Sequence, residues 1–220
     1  LWVGTFNGLY RLRDSLPESA RTNTAIQIPT PHQKVTALMS DVDQVWVGLD
    51  GAGLYKYRIS SGALTKVGLN TSSKISVTSI LKTSKNDIFV ATYESGLFKL
   101  VNDQFEKVAT SSEDSTFVSL YERSGGEVLA LSENGIYMYN EDANRLERQR
   151  FHVDSDPIPA FFFLSIGRHE SGDLLIGTRD HGILRWTKPV SDSPKGRMET
   201  FFRQKNEKSI SFYSITEDSS

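Results

Sequence analysis

Arg179-Asp180-His181 is the densest run of chemically capable side chains in the sequence. A guanidinium, a carboxylate and an imidazole in succession suit contact with an anion, a sugar hydroxyl or a peptide. Catalysis would also need a nucleophile or a second carboxylate at hydrogen-bond range. Sequence spacing supplies none, so no catalytic residue is assigned. The other histidines, His32, His152 and His169, are scattered; no pair has the i, i+4 spacing of a helical zinc site, and the cysteine count is 0. Each is expected in a loop or at a strand end, and no metal site is expected. Gly48-Leu49-Asp50-Gly51-Ala52-Gly53 is glycine-rich but leads into no helical pattern, and Lys56 stands where a third spaced glycine would be needed. That argues against a dinucleotide loop. Asp41-Val42-Asp43 and Asn86-Asp87 lack a full calcium-loop pattern and read as turns. Asn70-Thr71-Ser72 fits a glycosylation acceptor, which matters only in a eukaryotic secreted protein. No cofactor is expected.

The elements that must carry these residues repeat. Leu1-Trp2-Val3-Gly4-Thr5-Phe6-Asn7-Gly8-Leu9-Tyr10 returns at 45–55, 88–98, 128–137 and 174–184. Its bulky anchors, Trp2, Trp46, Phe89, Leu129 and Leu175, are spaced by 44, 43, 40 and 46 residues. A second phrase precedes each later copy: Val35-Thr36-Ala37-Leu38-Met39, Val77-Thr78-Ser79-Ile80-Leu81, Phe117-Val118-Ser119-Leu120-Tyr121 and Phe162-Phe163-Leu164-Ser165-Ile166. It recurs once more from Ile210 to Thr216. Each period holds about four short runs rich in Val, Ile, Phe, Tyr and Trp, bounded by Gly, Asn, Asp or Ser, which is the pattern of strands. No segment keeps a 3.6-residue period. Four strands in roughly 44 residues is the pattern of a propeller blade.

The expected fold is therefore all-β: a β-propeller of four-stranded antiparallel blades, with five repeats filling residues 1–220. In each blade strand A is the lead-in phrase, strand B carries the anchor, strand C follows a turn glycine and strand D is the weakest run. Gly8, Gly53, Gly96, Gly135 and Gly182 are expected to supply positive φ at the B–C turn. The small residues at 4, 48, 91 and 177 are expected where neighbouring sheets approach closely, and the anchors between blades. Strand A is expected to be the most apolar and to be buried on both faces. Phe161-Phe162-Phe163, beside Pro157 and Pro159, reads as a strand A with the residues leading into it. The chain starts at strand B of one blade and ends after strand A of another, so the last strand A either closes a ring onto the first blade or belongs to an arc of a larger ring; the arc is the expectation.

Composition excludes several classes. The 220 residues are 38% hydrophobic and 24% charged, with a formal net charge of −2. No basic excess suggests nucleic acid. No apolar stretch approaches the ~18 residues of a membrane-spanning helix, so membrane attachment is expected only through parts of a parent protein outside this sequence. The absence of cysteine removes disulfides and thiol chemistry.

The phrase Leu1-Trp2-Val3-Gly4-Thr5, a short gap and Gly8-Leu9-Tyr10 resembles the two-component regulator propeller repeat. The resemblance covers all five periods and is best at the Trp2 and Trp46 copies; in the Leu129 copy the aromatic anchor is missing and Leu131 replaces the small residue. Ile215-Thr216-Glu217-Asp218 resembles that family's spacer between blades. The resemblance implies a periplasmic sensor region of a bacterial inner-membrane protein. It implies seven repeats per ring and, further along the parent chain, a β-sandwich, a transmembrane helix and a cytoplasmic histidine kinase or diguanylate cyclase. The propeller itself would be non-catalytic.

Binding is expected at the B–C loop tips, which vary while the flanking strands repeat. The candidate residues are Phe6, Asn7, Asp50, Tyr93, Glu94, Glu133, Asn134, Arg179, Asp180 and His181. Their aromatic and polar mixture suits a small molecule, an oligosaccharide or a peptide. A homodimer through propeller contacts is a further expectation. Two other functions stay open on sequence: a secreted lyase or glycosidase acting on polysaccharide, and a protein-docking scaffold.

Overall fold

The computed structural model describes residues 1–12, 25–31, 33–70, 74–110, 112–153, 162–187, 196–202, 211–213 and 215. His32, Thr71, Ser72, Pro157, Pro159, Phe161, Ile210, Ser214 and Thr216 lie outside the described residues. The chain forms five sheets in sequence order. The first contains β1 (Trp2–Thr5), β2 (Gly8–Leu12) and β3 (Ala25–Ile28). The second contains β4 (Val35–Ser40), β5 (Gln44–Leu49), β6 (Gly53–Arg58) and β7 (Ala63–Val67). The third contains β8 (Ser76–Lys82), β9 (Ile88–Tyr93), β10 (Leu97–Val101) and β11 (Gln104–Lys107). The fourth contains β12 (Ala109–Thr110), β13 (Phe117–Glu122), β14 (Val128–Ser132), β15 (Gly135–Asn140) and β16 (Arg145–Arg148). The fifth contains β17 (Phe151–Val153), β18 (Phe163–Arg168), β19 (Leu174–Thr178), β20 (Ile183–Thr187) and β21 (Gly196–Phe202).

Each complete sheet is an antiparallel A–B–C–D meander, and the first has B, C and D among the described residues. The fourth and fifth sheets carry one addition. β12 pairs in parallel with β16, and β17 in parallel with β21. The segment after β16 thus leaves the fourth sheet and joins the outer edge of the fifth. Every strand A also shifts register at its start, between Val35 and Ala37, Val77 and Ser79, Phe117 and Ser119, and Phe163 and Ser165. The extra residue is a β-bulge that bends the strand. At Thr36 the bulged hydroxyl donates to the Gly48 carbonyl at 3.1 Å and the Val77 carbonyl at 2.5 Å, lacing two sheets together.

The chain divides into two compact units, Leu1–Lys82 with Asn86–Lys107, and Thr83–Lys85 with Val108–Ser220. In the first unit Trp2 packs edge-on to Tyr57 of the second sheet, with ring centroids 5.5 Å apart. Trp46 packs edge-on to Phe105 of the third at 5.9 Å. The anchors therefore fill the space between sheets. A ring face of each anchor is covered by the residue opposite on strand C: Arg11 over Trp2, Lys56 over Trp46 and Lys99 over Phe89, at 5.4, 5.4 and 5.5 Å from the ring centroids. In the second unit Leu129 and Leu131 pack with Phe163, Ile176, Trp186 and Met198 of the fifth sheet. Leu129 faces Met138, and Arg185, opposite Leu175, turns to Asp173 instead (Nε–Oδ2 2.8 Å).

The close approach of sheets at residues 4, 48 and 177 is present. A Cβ placed at Gly48 would stand 2.5 Å from Val77 Cγ1, one at Gly4 2.5 Å from Val35 Cγ1, and one at Gly177 would collide with Phe212. Two expectations fail. Strand B, not strand A, is the most buried: β14 is buried at every position and β5 and β9 at five of six, whereas β4 is buried only at Val35. Strand A is the edge strand of its sheet and strand B is paired on both sides, so strand B collects the packing. Gly135 is also absent from the positive-φ glycines, which include Gly8, Gly53, Gly96 and Gly182. Its smallness makes room instead for the Arg148 guanidinium, whose Nε would lie 3.0 Å from a Cβ there. Asp41–Asp43 and Asn86–Asp87 lie in A–B turns, as expected. His169 does too, with Nδ1 2.8 Å from Ser171 Oγ, and His152 lies within β17.

Candidate functional site

A hydroxyl closes most of the B–C hairpins. Thr5 donates to the Gly8 carbonyl at 3.0 Å, Thr92 to Gly96 at 2.6 Å, Ser132 to Gly135 at 3.3 Å and Thr178 to Gly182 at 2.8 Å. The same oxygen accepts the tip amide of Asn7, Asn134 or His181. The second sheet has Leu49 at this position and uses the next sheet instead: Ser76 Oγ accepts the Gly51 amide at 2.9 Å and donates to Asp50 Oδ1 at 2.6 Å. Sequence reading passed over these hydroxyls, although a Thr or Ser stands three or four residues before the turn glycine in four of the five copies.

The tips are tied to the lead-in of their own blade or of the following one, as well as to themselves. Asp50 N donates to the Lys34 carbonyl at 2.9 Å and Gly53 N to the Ile75 carbonyl at 2.8 Å. In the second unit Phe163 N donates to the Glu133 carbonyl at 3.1 Å, Arg179 N to the Phe162 carbonyl at 3.0 Å and Phe212 N to the Thr178 carbonyl at 3.1 Å. Tip backbones are thus held by hydrogen bonds while tip side chains stay exposed. Such a frame preorganises a binding surface.

In the first unit Phe6 is 76% exposed, with Lys34 Nζ 4.9 Å from its ring centroid. Asp50 and Asn7 are exposed, and Tyr93 is exposed beside Glu94, which takes a positive φ of 63°. In the second unit the tips of the fourth and fifth sheets meet. The Arg179 guanidinium stacks on Phe162, 4.6 Å from the ring centroid, and reaches Glu133 at 4.0 Å. Asn134 and Asp180 are exposed and His181 is half-buried on the same tips.

Beside Glu133 and Asn134, the segment between β12 and β13 adds a polar pocket of about 170 Å³, lined by Glu113, Asp114, Ser115, Thr116 and Ser132. One lining residue, Asp114, accepts from the hydroxyl of the fully buried Tyr137, which also lies 2.8 Å from Ser112 Oγ. Burial, then the hydrogen bond to the Asp114 carboxylate, pushes the Tyr137 phenol above its usual range. Tyr137 therefore stays protonated and aims Asp114, which also accepts from Ser132 at 3.1 Å. Sequence reading missed Ser112, Asp114 and Tyr137, which come together over 25 residues of separation. The polar run Glu113-Asp114-Ser115-Thr116 just before the lead-in at Phe117 was the available signal. No group of three or more His, Cys, Asp or Glu among the described residues is arranged to hold a metal ion. A surface of aromatic face, guanidinium and carboxylates can stack a ring and bind hydroxyl or amide groups.

Comparison with solved structures defines the class. The chain superposes over 99% of its length on the extracellular domain of BT4673 from B. thetaiotaomicron, named as a one-component system, with TM-score 0.73 and 22% identity. It spans 29% of that chain. It also matches the WD40 β-propeller domain of Doa1 (TM-score 0.66, 15% identity, 96% of this chain and 66% of that one) and virginiamycin B lyase from Staphylococcus aureus (0.67, 15%, 88% and 62%). No family model and no curated protein matches the sequence. The fold is that of a β-propeller built from four-stranded antiparallel blades, each sheet described above being a blade.

Proposed function

We propose that this chain is the ligand-sensing propeller of a bacterial membrane-bound signalling protein, placed on the periplasmic side and non-catalytic in itself. The parent would carry the output, a histidine kinase or diguanylate cyclase. The observation that carries the reading is the junction of the fourth and fifth blades. Arg179 there is stacked on a partly exposed aromatic ring and faces Glu133, on tips whose backbones are already locked. This is a recognition surface of small-molecule or oligosaccharide character. The likeness to an extracellular domain named for a signalling system supports the same direction.

A second reading, a secreted propeller lyase, is favoured by the likeness to virginiamycin B lyase. Against it, the Thr178 hydroxyl beside Arg179 is consumed in closing its turn, and the Ser132 hydroxyl beside Glu133 is shared between the Gly135 carbonyl and Asp114. Asp114 is held by Tyr137 and Ser132. Thermal shift against oligosaccharides, small acids and peptides decides between them. A sensor is stabilised by one class without turnover, by about 2.7 kcal/mol at a hundred times its dissociation constant. Arg179→Ala is expected to abolish that shift while leaving the unliganded melting temperature in place. Consumption of any panel member would overturn the sensor reading.

A further inference from the structure

We propose that the outer edge of the second blade, strand β7, docks an extended segment of a partner protein, proline-free and acidic, which joins the sheet as a fifth strand parallel to β7. The fourth and fifth blades already show the arrangement. There the chain leaving one blade runs on to the outer edge of the next: Ala109 and Thr110 pair in parallel with Arg145 and Leu146, and Phe151–Val153 with Gly196, Arg197 and Met198. The connection into the second blade cannot do the same. After β3 ends at Ile28 it reads Pro29-Thr30-Pro31, and proline has no N–H to give to a ladder. Thr30 lies against the tip of the first blade instead, where a Cβ at Gly8 would stand 2.5 Å from its Oγ1. β7 is therefore the terminal strand of its sheet among the described residues, with Ala63, Thr65 and Lys66 exposed. An open edge offers main-chain donors and acceptors to an incoming strand.

The charge of the sheet selects the partner. Its four strands contain Lys56, Arg58 and Lys66 and no carboxylate. The carboxylates of the adjoining turns are engaged: Asp41 with Lys82, Asp43 with Ser60 and Asp50 with Ser76. Lys66 lies over the Tyr55 ring and Lys56 over the Trp46 ring, 6.0 and 5.4 Å from the centroids. They stand on opposite faces of the sheet, because Lys66 is registered with Tyr55 and Lys56 with Thr65. An incoming strand also sends its side chains alternately to the two faces. Carboxylates on either face thus meet positive potential, and one beside Lys66 is its direct cross-strand neighbour. Two copies of this edge would set cation beside cation, which disfavours a second copy of the chain as the occupant.

Nothing in this site depends on the sensor reading. The test uses the acetylated, amidated hexapeptide Thr-Glu-Val-Val-Glu-Thr, followed by amide chemical shifts and hydrogen exchange of the whole chain. Saturable binding is expected below about 10 mM, with slower exchange of amides within Ala63–Val67. The same peptide with lysines for glutamates should bind at least about 3-fold more weakly, and with prolines for valines it should not bind. Lys66→Glu lies at an exposed position and should fold normally by circular dichroism. It is expected to weaken the acidic peptide about 3- to 10-fold. Added salt should weaken the wild-type complex. The inference is overturned by unchanged exchange at 63–67 with about 10 mM peptide, by equal affinity for the acidic and lysine peptides, by a proline peptide that binds as tightly, or by full affinity in Lys66→Glu. Arg179→Ala should leave peptide binding intact, so this proposal and the sensor reading fail separately.

Discussion

The contact between Gly48 and Val77 gives the most direct test of how the blades pack. A Cβ at Gly48 would lie 2.5 Å from Val77 Cγ1, 2.8 Å from Val77 Cβ and 3.1 Å from Ala37 Cβ. Carbon atoms pack best at ~3.5–4.0 Å, so about 1 Å must be recovered. Val77 is fully buried and β-branched, with little rotamer freedom, and Ala37 has none. The second and third sheets must therefore separate. Overpacking of this kind costs ~1–3 kcal/mol, and two rigid neighbours place Gly48→Ala in the upper half, about 2–3. For a chain of this size each kcal/mol moves Tm by ~2–4 °C, so a fall of about 4–12 °C is expected. Val77→Ala alone removes two buried methyl groups and costs about 1.6 kcal/mol at ~0.8 per group, plus a cavity term. In Gly48→Ala/Val77→Ala the new methyl occupies space the valine vacated. The double variant should then be about 1 kcal/mol or more better than additive. Urea and thermal unfolding of the four proteins measure this. A Gly48→Ala protein within about 0.5 kcal/mol of wild type, or strictly additive losses, would refute the close-packing account.

Other expectations follow from the same geometry. Gly135→Ala should be nearly neutral, since its φ is not positive and the Arg148 guanidinium can move; Gly53→Ala, at φ 85°, should cost ~1–2 kcal/mol, and chemical denaturation of the pair compares them directly. Thr178→Val removes a buried hydroxyl that serves both the Gly182 carbonyl and the His181 amide, and should lower stability by ~1–3 kcal/mol, with faster hydrogen exchange confined to the 178–182 turn. At Asp173 burial alone would raise the carboxyl's pKa, but hydrogen bonds from Ser171 and Arg185 outweigh it and hold the group below its ordinary value. Its contribution is therefore complete above the unfolded value near ~3.9 and is lost as pH falls through the lower folded value. Asp173→Asn should thus be destabilised relative to wild type at pH 7 and converge with it in acid unfolding; a gap that persists to about pH 2 would contradict the assignment.

The blade pattern was legible because its signals are local. Anchor, small residue and turn glycine fall within ten residues of one another, as in Trp46, Gly48 and Gly53. What depends on pairing was not legible. The parallel strands β12 and β17 form only because the outer edge of the next sheet is free to accept them, and nothing within Ala109–Thr110 or Phe151–Val153 announces that edge. The cations over the anchors show the same limit. Arg11, Lys56 and Lys99 lie nine or ten residues after Trp2, Trp46 and Phe89, a nearly constant offset visible in the sequence. It acquires meaning only once the hairpin register sets each opposite its ring. Gly135 failed for the opposite reason: the repeat assigned it a turn conformation by analogy, while Arg148, a residue outside the repeated phrase, determines its space.

The candidate site divides along the same line. The tips could be named from variability within a constant frame, but not which tips meet. Glu133 and Arg179 are 46 residues apart in the sequence, and their 4.0 Å approach follows from one period of the repeat placing equivalent tips on adjacent blades. Tyr137 and Asp114 were hidden more deeply. Tyr137 occupies a strand C position equivalent to Tyr10 and Tyr55, so its sequence context reads as packing. Only its buried hydroxyl, directed at a carboxylate on the preceding connection, gives it a polar task. The repeat thus separates the two demands on this surface. Buried threonine and serine hydroxyls and main-chain bonds hold the tips. Arg179 and Glu133 can therefore be exchanged without disturbing the sheets beneath, whereas Asp114 cannot, because the buried Tyr137 hydroxyl depends on it.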